Sequence, residues 1–147
     1  MRFETLVNLL PHGPSMTFIR DVRSLNLRSK RIEARSFFDA KDSQITDHFP
    51  NFSIVPGIFL IEAMAQAGLI LFQASIRLVQ EREIPVLTHI DVRFLRPVFP
   101  NNNVMIIAHI TKSSNNGALF ETFVKYKGHR AVEARMTFGI KVKRLLK

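Results

Sequence analysis

His48 and Glu62 are the side chains whose types and setting could do chemistry. The histidine lies in the run Asp47-His48-Phe49-Pro50, and the carboxylate follows fourteen residues later inside the nearly all-apolar stretch 57–68. An imidazole titrates near neutral pH and can take or return a proton there, and a carboxyl held in apolar surroundings is a natural second acid or base. The chain has no cysteine, which removes thiolate nucleophiles, disulfides and cysteine-based zinc sites. His12, His89, His109 and His129 fall on separate elements with no His-x-x-x-His spacing, so no metal and no cofactor are expected.

The elements that must position this pair can be read from periodicity. Residues 57–77 run without proline, long enough for a helix of about 31 Å. At about 100° per residue, Glu62, Gln66, Gln73 and Arg77 fall within about 60° of one another, one narrow polar stripe on an otherwise apolar helix. Those four interruptions argue against a membrane span and for a buried helix wrapped by a sheet. Upstream, residues 39–56 are broken by Asp42, Ser43, Asp47, Pro50, Asn51, Ser53 and Pro56, a long loop of the kind that often carries function.

The flanks are β, apart from a short amphipathic helix over 3–10 with Phe3, Val7 and Leu10 on one face, ended by Pro11. Strands are expected over 16–22, 31–38, 89–94, 104–111 and 119–126, with turns at 12–15, 114–117 and 127–129. The last strand alternates most cleanly: Val132, Ala134, Met136, Phe138, Ile140 and Val142 against Glu133, Arg135, Thr137, Lys141 and Lys143. The expected class is α+β, a long central helix wrapped by a curved antiparallel sheet. At 147 residues the chain fits one domain, 1–147.

The net charge of +9 is concentrated late. From Lys125 onward, Lys125, Lys127, Arg130, Arg135, Lys141, Lys143, Arg144 and Lys147 face only Glu133. Such a face attracts an acidic partner. With one Tyr, no Trp and the Phe residues mostly at core-facing positions, nucleic acid is not expected to be that partner. The N-terminus lacks the apolar core and cleavage site of a signal peptide, so a cytoplasmic location is expected, without membrane insertion.

His48-Phe49-Pro50, Pro56-Gly57 and Glu62-Ala63-Met64-Ala65-Gln66 stand in the order and spacing of the β-hydroxyacyl-(acyl carrier protein) dehydratase family, which they resemble. Leu10-Pro11-His12 is similar to that family's N-terminal segment, and residues 93–98, Arg-Phe-Leu-Arg-Pro-Val, to its sequence after the helix. The resemblance implies the hotdog fold and removal of water from a 3-hydroxyacyl thioester carried on acyl carrier protein, in fatty-acid or related acyl-chain synthesis. It departs at two loop positions, where Asp47 and Ser53 stand in place of the family's usual glycine and proline.

On this resemblance His48 is expected to be the base that removes the α-proton. Glu62 is expected to be the acid for the departing hydroxyl, its pKa raised by burial. The Gly57 N–H at the helix start is suited to the thioester oxygen. Pro56, Phe49 and Gln66 complete the expected substrate-binding set, Gln66 more as an orienting group than a reacting one. The family's site is shared between two subunits, so a homodimer is implied, with a trimer of dimers as the further assembly open to it. Asp47, if close to the imidazole, would stabilise its charged form. Two alternatives keep the fold: an acyl thioesterase in which Glu62 activates water, and a noncatalytic acyl-carrier-binding subunit.

Overall fold

Strong β alternation around one proline-free apolar run dictates a sheet packed on a helix. The computed structural model, which describes residues 2–147, has that arrangement. After the short α1 (Phe3–Leu6) come β1 (Ile19–Asn26) and β2 (Arg31–Phe37), then α2 (Ser43–Thr46) in the loop before the long α3 (Gly57–Ser75). β3 (Glu83–Phe94), β4 (Asn103–Ser114), β5 (Gly117–Tyr126) and β6 (His129–Val142) follow. Every neighbouring pair is antiparallel, in the order β1-β2-β4-β5-β6-β3. This is the hotdog architecture, with β1 and β3 at the edges of the sheet.

α3 is rich in Leu, Ala, Met and Gln, all good helix formers, and begins directly after Pro56. From Gln66 to Gln73 every side chain is buried, which requires packing on all sides; the helix touches β1, β2, β3, β4 and β5. It packs tightly on the sheet at Gly68, where an added Cβ would come within 2.5 Å of the Phe120 ring. By length and apolar composition alone α3 could cross a membrane, but here it is the core helix.

The polar stripe has a structural use. Gln66 accepts from Phe18 N–H at 2.8 Å and donates to the Met16 carbonyl at 2.6 Å. Gln73 donates to the Leu9 carbonyl at 2.7 Å and accepts from Val79 N–H at 3.0 Å. The stripe therefore satisfies irregular backbone that would otherwise be buried without partners, and straps residues 9–18 to the helix.

Element boundaries differ from the sequence expectation where local chemistry outweighs periodicity. α3 stops at Ser75, and Arg77 leaves the helix to bond the Asn115 carbonyl and Glu83. Met16 sits in a 3₁₀ turn entered through Pro14, so β1 starts at Ile19. In the N-terminal helix Leu6 is fully buried while Phe3 is 40% exposed. β3 begins six residues earlier than its clear alternation, because as an edge strand it tolerates Pro85. On β6, Val132, Met136, Phe138 and Ile140 are buried as expected, with Ala134 and Val142 only half-buried.

The Arg77–Glu83 pair fixes the end of α3 to the start of β3 through two bonds of 2.8 and 3.0 Å. Arg77 and the Gln80 N–H hold the Glu83 carboxyl down at about 2, from an ordinary 4.5. A folded-state pKa below the unfolded value stabilises at pH above about 4.5, and that contribution is lost as pH falls towards 2. Chemical denaturation of Glu83→Gln across this window is expected to show a shallower loss of stability than the parent; parallel curves would refute the linkage.

Candidate active site

The loop that carries His48 is held by its own backbone. His48 N–H donates to the Ile45 carbonyl at the end of α2, Ile54 N–H donates to the His48 carbonyl at 2.7 Å, and Phe49 and Phe52 exchange bonds of 3.2 and 3.0 Å. Val55 N–H reaches the Val98 carbonyl at 2.8 Å, which ties the loop to the β3–β4 connection. The imidazole is half-buried, stacked on Phe49 with centroids 4.5 Å apart. Its Nδ1 lies 3.1 Å from the Ile54 carbonyl. A carbonyl oxygen can only accept, so the ring proton belongs at Nδ1 and Nε2 presents a lone pair, the form a base requires.

The two departures in this loop are accommodated. Asp47 has φ −80° and ψ −3°, a right-handed conformation in which glycine's freedom is not used. Its carboxylate makes no hydrogen bond or ion pair with His48 among the described residues, so the expected stabilisation of a charged imidazole has no contact behind it. Ser53 Oγ is within 3.1 Å of the Thr46 carbonyl and 3.3 Å of the Phe49 carbonyl, bracing the loop from inside.

Pro56 is buried at the N-cap of α3, and Gly57 opens the helix, so no intrahelical acceptor is available to the Gly57 N–H. Gly57 lines a cavity of about 450 Å³ with Ile54, Val55, Phe94 and Pro97. A Cβ at Gly57 would stand 2.8 Å from the Phe94 ring, so the missing side chain is what keeps the amide approachable. Phe49, 55% exposed, lies on the outside of the same loop.

Glu62 sits one turn further along α3 and its surroundings are not those expected. His12 Nε2 lies 3.1 Å from Glu62 Oε1, and Gln66 Nε2 donates to the same oxygen at 3.1 Å. The His12 bond, countered by burial and reinforced by Gln66, lowers the Glu62 pKa below its ordinary value. The expected upward shift is thus overturned: burial does push up, but two donors on one oxygen outweigh it. Glu62 and His12 share a slot of about 80 Å³ with Ala65, Gln66, Leu69, Pro85, Leu87 and Phe138.

Gln66 is only 1% exposed, and its amide serves Phe18, Met16 and Glu62 together. Gln66→Leu strands the Phe18 N–H and the Met16 carbonyl, and is expected to cost about 2–4 kcal/mol in urea or guanidinium unfolding. A loss under 1 kcal/mol would mean that these groups find other partners.

Within the chain, then, Gly57 and the His48 loop meet around one cavity through Ile54 and Val55, while Glu62 and Gln66 line another with His12. No contact joins His48 to Glu62 among the described residues. His12 is the member that sequence reasoning missed. The Leu10-Pro11-His12 segment stood out, but nothing in its spacing signals that it reaches a carboxylate fifty residues away.

Residues 10–135 match the family model described as the FabA-like domain. The chain is 29% identical over 138 residues to a 3-hydroxyacyl-acyl-carrier-protein dehydratase FabZ of Rickettsia felis, covering 94% of each chain. It is 29% identical over 143 residues to the similarly named protein of Aromatoleum aromaticum, covering 96% of this chain and 98% of the other. Among solved structures, a chain of a dehydratase heterocomplex from Xenorhabdus doucetiae superposes with a TM-score of 0.77 at 17% identity, over 96% of this chain and 93% of that one. A thioesterase from Haemophilus influenzae superposes with a TM-score of 0.70 at 15% identity, over 97% and 92%. The last two likenesses speak for the fold alone.

Proposed function

Because the chain belongs to the FabA-like domain family, we propose that it is a hydro-lyase that converts a 3-hydroxyacyl thioester on acyl carrier protein to the trans-2-enoyl thioester, in fatty-acid or related acyl-chain synthesis. The observation that carries this reading is the His48 imidazole, whose Nδ1–H is taken by the Ile54 carbonyl so that Nε2 is free to act as base. His48 Nε2 takes the α-proton, the C–H electron pair becomes the new C=C bond, and the C–O bond to the 3-hydroxyl breaks. Glu62, in its protonated form, gives its proton to the departing oxygen, so water leaves, and the donors that lower its pKa stabilise the carboxylate that results. The Gly57 N–H and the start of α3 meet the negative charge that builds on the thioester oxygen. Afterwards His48 holds a proton and Glu62 does not; moving that one proton back restores the reactive pair.

Glu62 lines the slot beside α3 without His48, and His48 sits on the loop whose Ile54 and Val55 line the Gly57 cavity, which supports a homodimer in which each site takes His48 from one copy and Glu62 from the other. The surface for it is the free edge of β3, twelve residues long with Ile84, Val86 and Ile90 exposed, an edge that a lone protein would leave open to pairing. The exposed basic residues of the C-terminal segment, from Lys125 to Lys147, suit an acidic carrier protein in the cytoplasm.

The anionic tendency of Glu62 favours one other reading, a thioesterase in which the carboxylate activates water. Incubation with a 3-hydroxyacyl carrier thioester separates the two. An enoyl product with the thioester intact supports the dehydratase; free thiol would replace it with the thioesterase.

A further inference from the structure

A carboxyl acid has two oxygens, and only one of them can present a proton to a given leaving group. At Glu62 the two are unlike. Oε1 receives both His12 Nε2 and Gln66 Nε2, each at 3.1 Å, while Oε2 has no partner among the described residues. The residue's side chain is 30% exposed and lines the slot beside α3, so Oε2 is the oxygen left for something outside the chain's own bonding.

His12 is built for this contact. It follows Pro11 on the strap that Gln66 and Gln73 bind to the helix at Met16, Phe18 and Leu9. Its Nδ1 is buried without a partner, so a proton there would find no acceptor, and the ring proton belongs at Nε2, facing Glu62. Of the other groups around the slot, Gln66 and Ala65 share the helix, Leu69 is apolar, and Pro85, Leu87 and Phe138 close it from β3 and β6; none titrates. Among the described residues His12 and Glu62 are the only titratable groups there, with the His48 of a second copy facing them in the proposed dimer.

We propose that His12 is a positioning residue for Glu62: together with Gln66 it saturates Oε1 in both protonation states and confines the transferable proton to Oε2. A neutral carboxyl keeps a carbonyl-type oxygen that still accepts both bonds, so neither donor has to move when the proton arrives or leaves. The pair thus sets which oxygen reacts, and it steadies the carboxylate that remains after transfer. This rests on the dehydratase reading for its catalytic consequence, though the His12–Glu62 link itself does not.

The test compares His12→Leu, which removes the donor, with His12→Gln, whose amide N–H can donate to Oε1 but does not titrate. In turnover of a 3-hydroxyacyl carrier substrate, His12→Leu is expected to lower kcat on the order of 10-fold to 100-fold, as for a misplaced group. KM is expected to change little. The limb of the pH–rate profile that depends on Glu62 moves to higher pH, since the lost donor no longer favours the anion, and His12→Gln recovers most of kcat. A role in holding the strap alone would lower the plateau without moving that limb. The same comparison is made without substrate by following the Glu62 carboxyl with ¹³C NMR, assigned from Glu62→Gln. It is expected to titrate at higher pH in His12→Leu than in the parent, with His12→Gln in between. A folded His12→Leu in which Glu62 titrates as in the parent, or whose pH limb is unmoved, overturns the proposal. If His12→Leu does not fold, a His12→Gln variant that loses as much kcat as His12→Ala would overturn it equally. A parent that dehydrates no substrate sinks the dehydratase reading instead, and the NMR titration still decides the link.

Discussion

His48→Ala is expected to lower turnover of a 3-hydroxyacyl carrier thioester by roughly 10²–10⁴-fold, the range for loss of a general base. The magnitude follows from the geometry. Nε2 is the only nitrogen of that ring free to accept a proton, because Nδ1 is committed to the Ile54 carbonyl at 3.1 Å, and no other imidazole lies on the loop. Folding should survive, since the backbone bonds at residues 45, 48, 52 and 54 hold the loop and do not need the imidazole. Circular dichroism and unfolding of the variant are expected to match the parent closely. A variant that keeps its fold and more than a tenth of its activity would remove His48 from the chemistry.

The second large effect is a recovery. His48→Ala and Glu62→Gln should each be nearly inactive alone. Mixed in equal amounts and allowed to exchange subunits, they are expected to regain about one quarter of parental activity, because half of the dimers are mixed and each holds one intact site of two. The intact site takes His48 from the Glu62→Gln chain and Glu62 from the His48→Ala chain. A site complete within one protomer would give no recovery at any mixing ratio. The experiment therefore reads the separation of His48 from Glu62 within one chain as a property of the working assembly.

Much of this arrangement was legible in the sequence because it rests on local patterns. The proline-free run after Pro56 marks α3, the punctuated stretch before it marks the His48 loop, and the one-sided spacing of Glu62, Gln66 and Gln73 marks a helix with a single polar line. What the stripe binds was not legible. The Met16 and Leu9 carbonyls meet Gln66 and Gln73 across separations of 50 and 64 residues, and the path of the strap is set by turns whose spacing carries no helical or strand period. His12 was lost for the same reason. The direction of the Glu62 shift failed differently: burial was inferred correctly from the apolar helix, but the sign depends on two donors, one of which arrives on the strap. At β3, Pro85 hid residues 83–88, the first half of a strand expected only from 89, because an edge position tolerates the proline.

The position of β3 also orders the making of the protein. β3 is synthesised before β4 and β5, yet its only ladder partner is β6, the last strand. The strap likewise leaves the ribosome well before the helix residues that bind it. A nascent chain therefore carries β3 with both edges open until its ladder partners, 38 residues on for Phe94 and 59 for Glu83, have appeared, the kind of non-local pairing that slows folding and exposes strand edges. The C-terminal strand is then the keystone of the sheet, and a chain that stops short of it leaves the longest edge strand with nothing on either side.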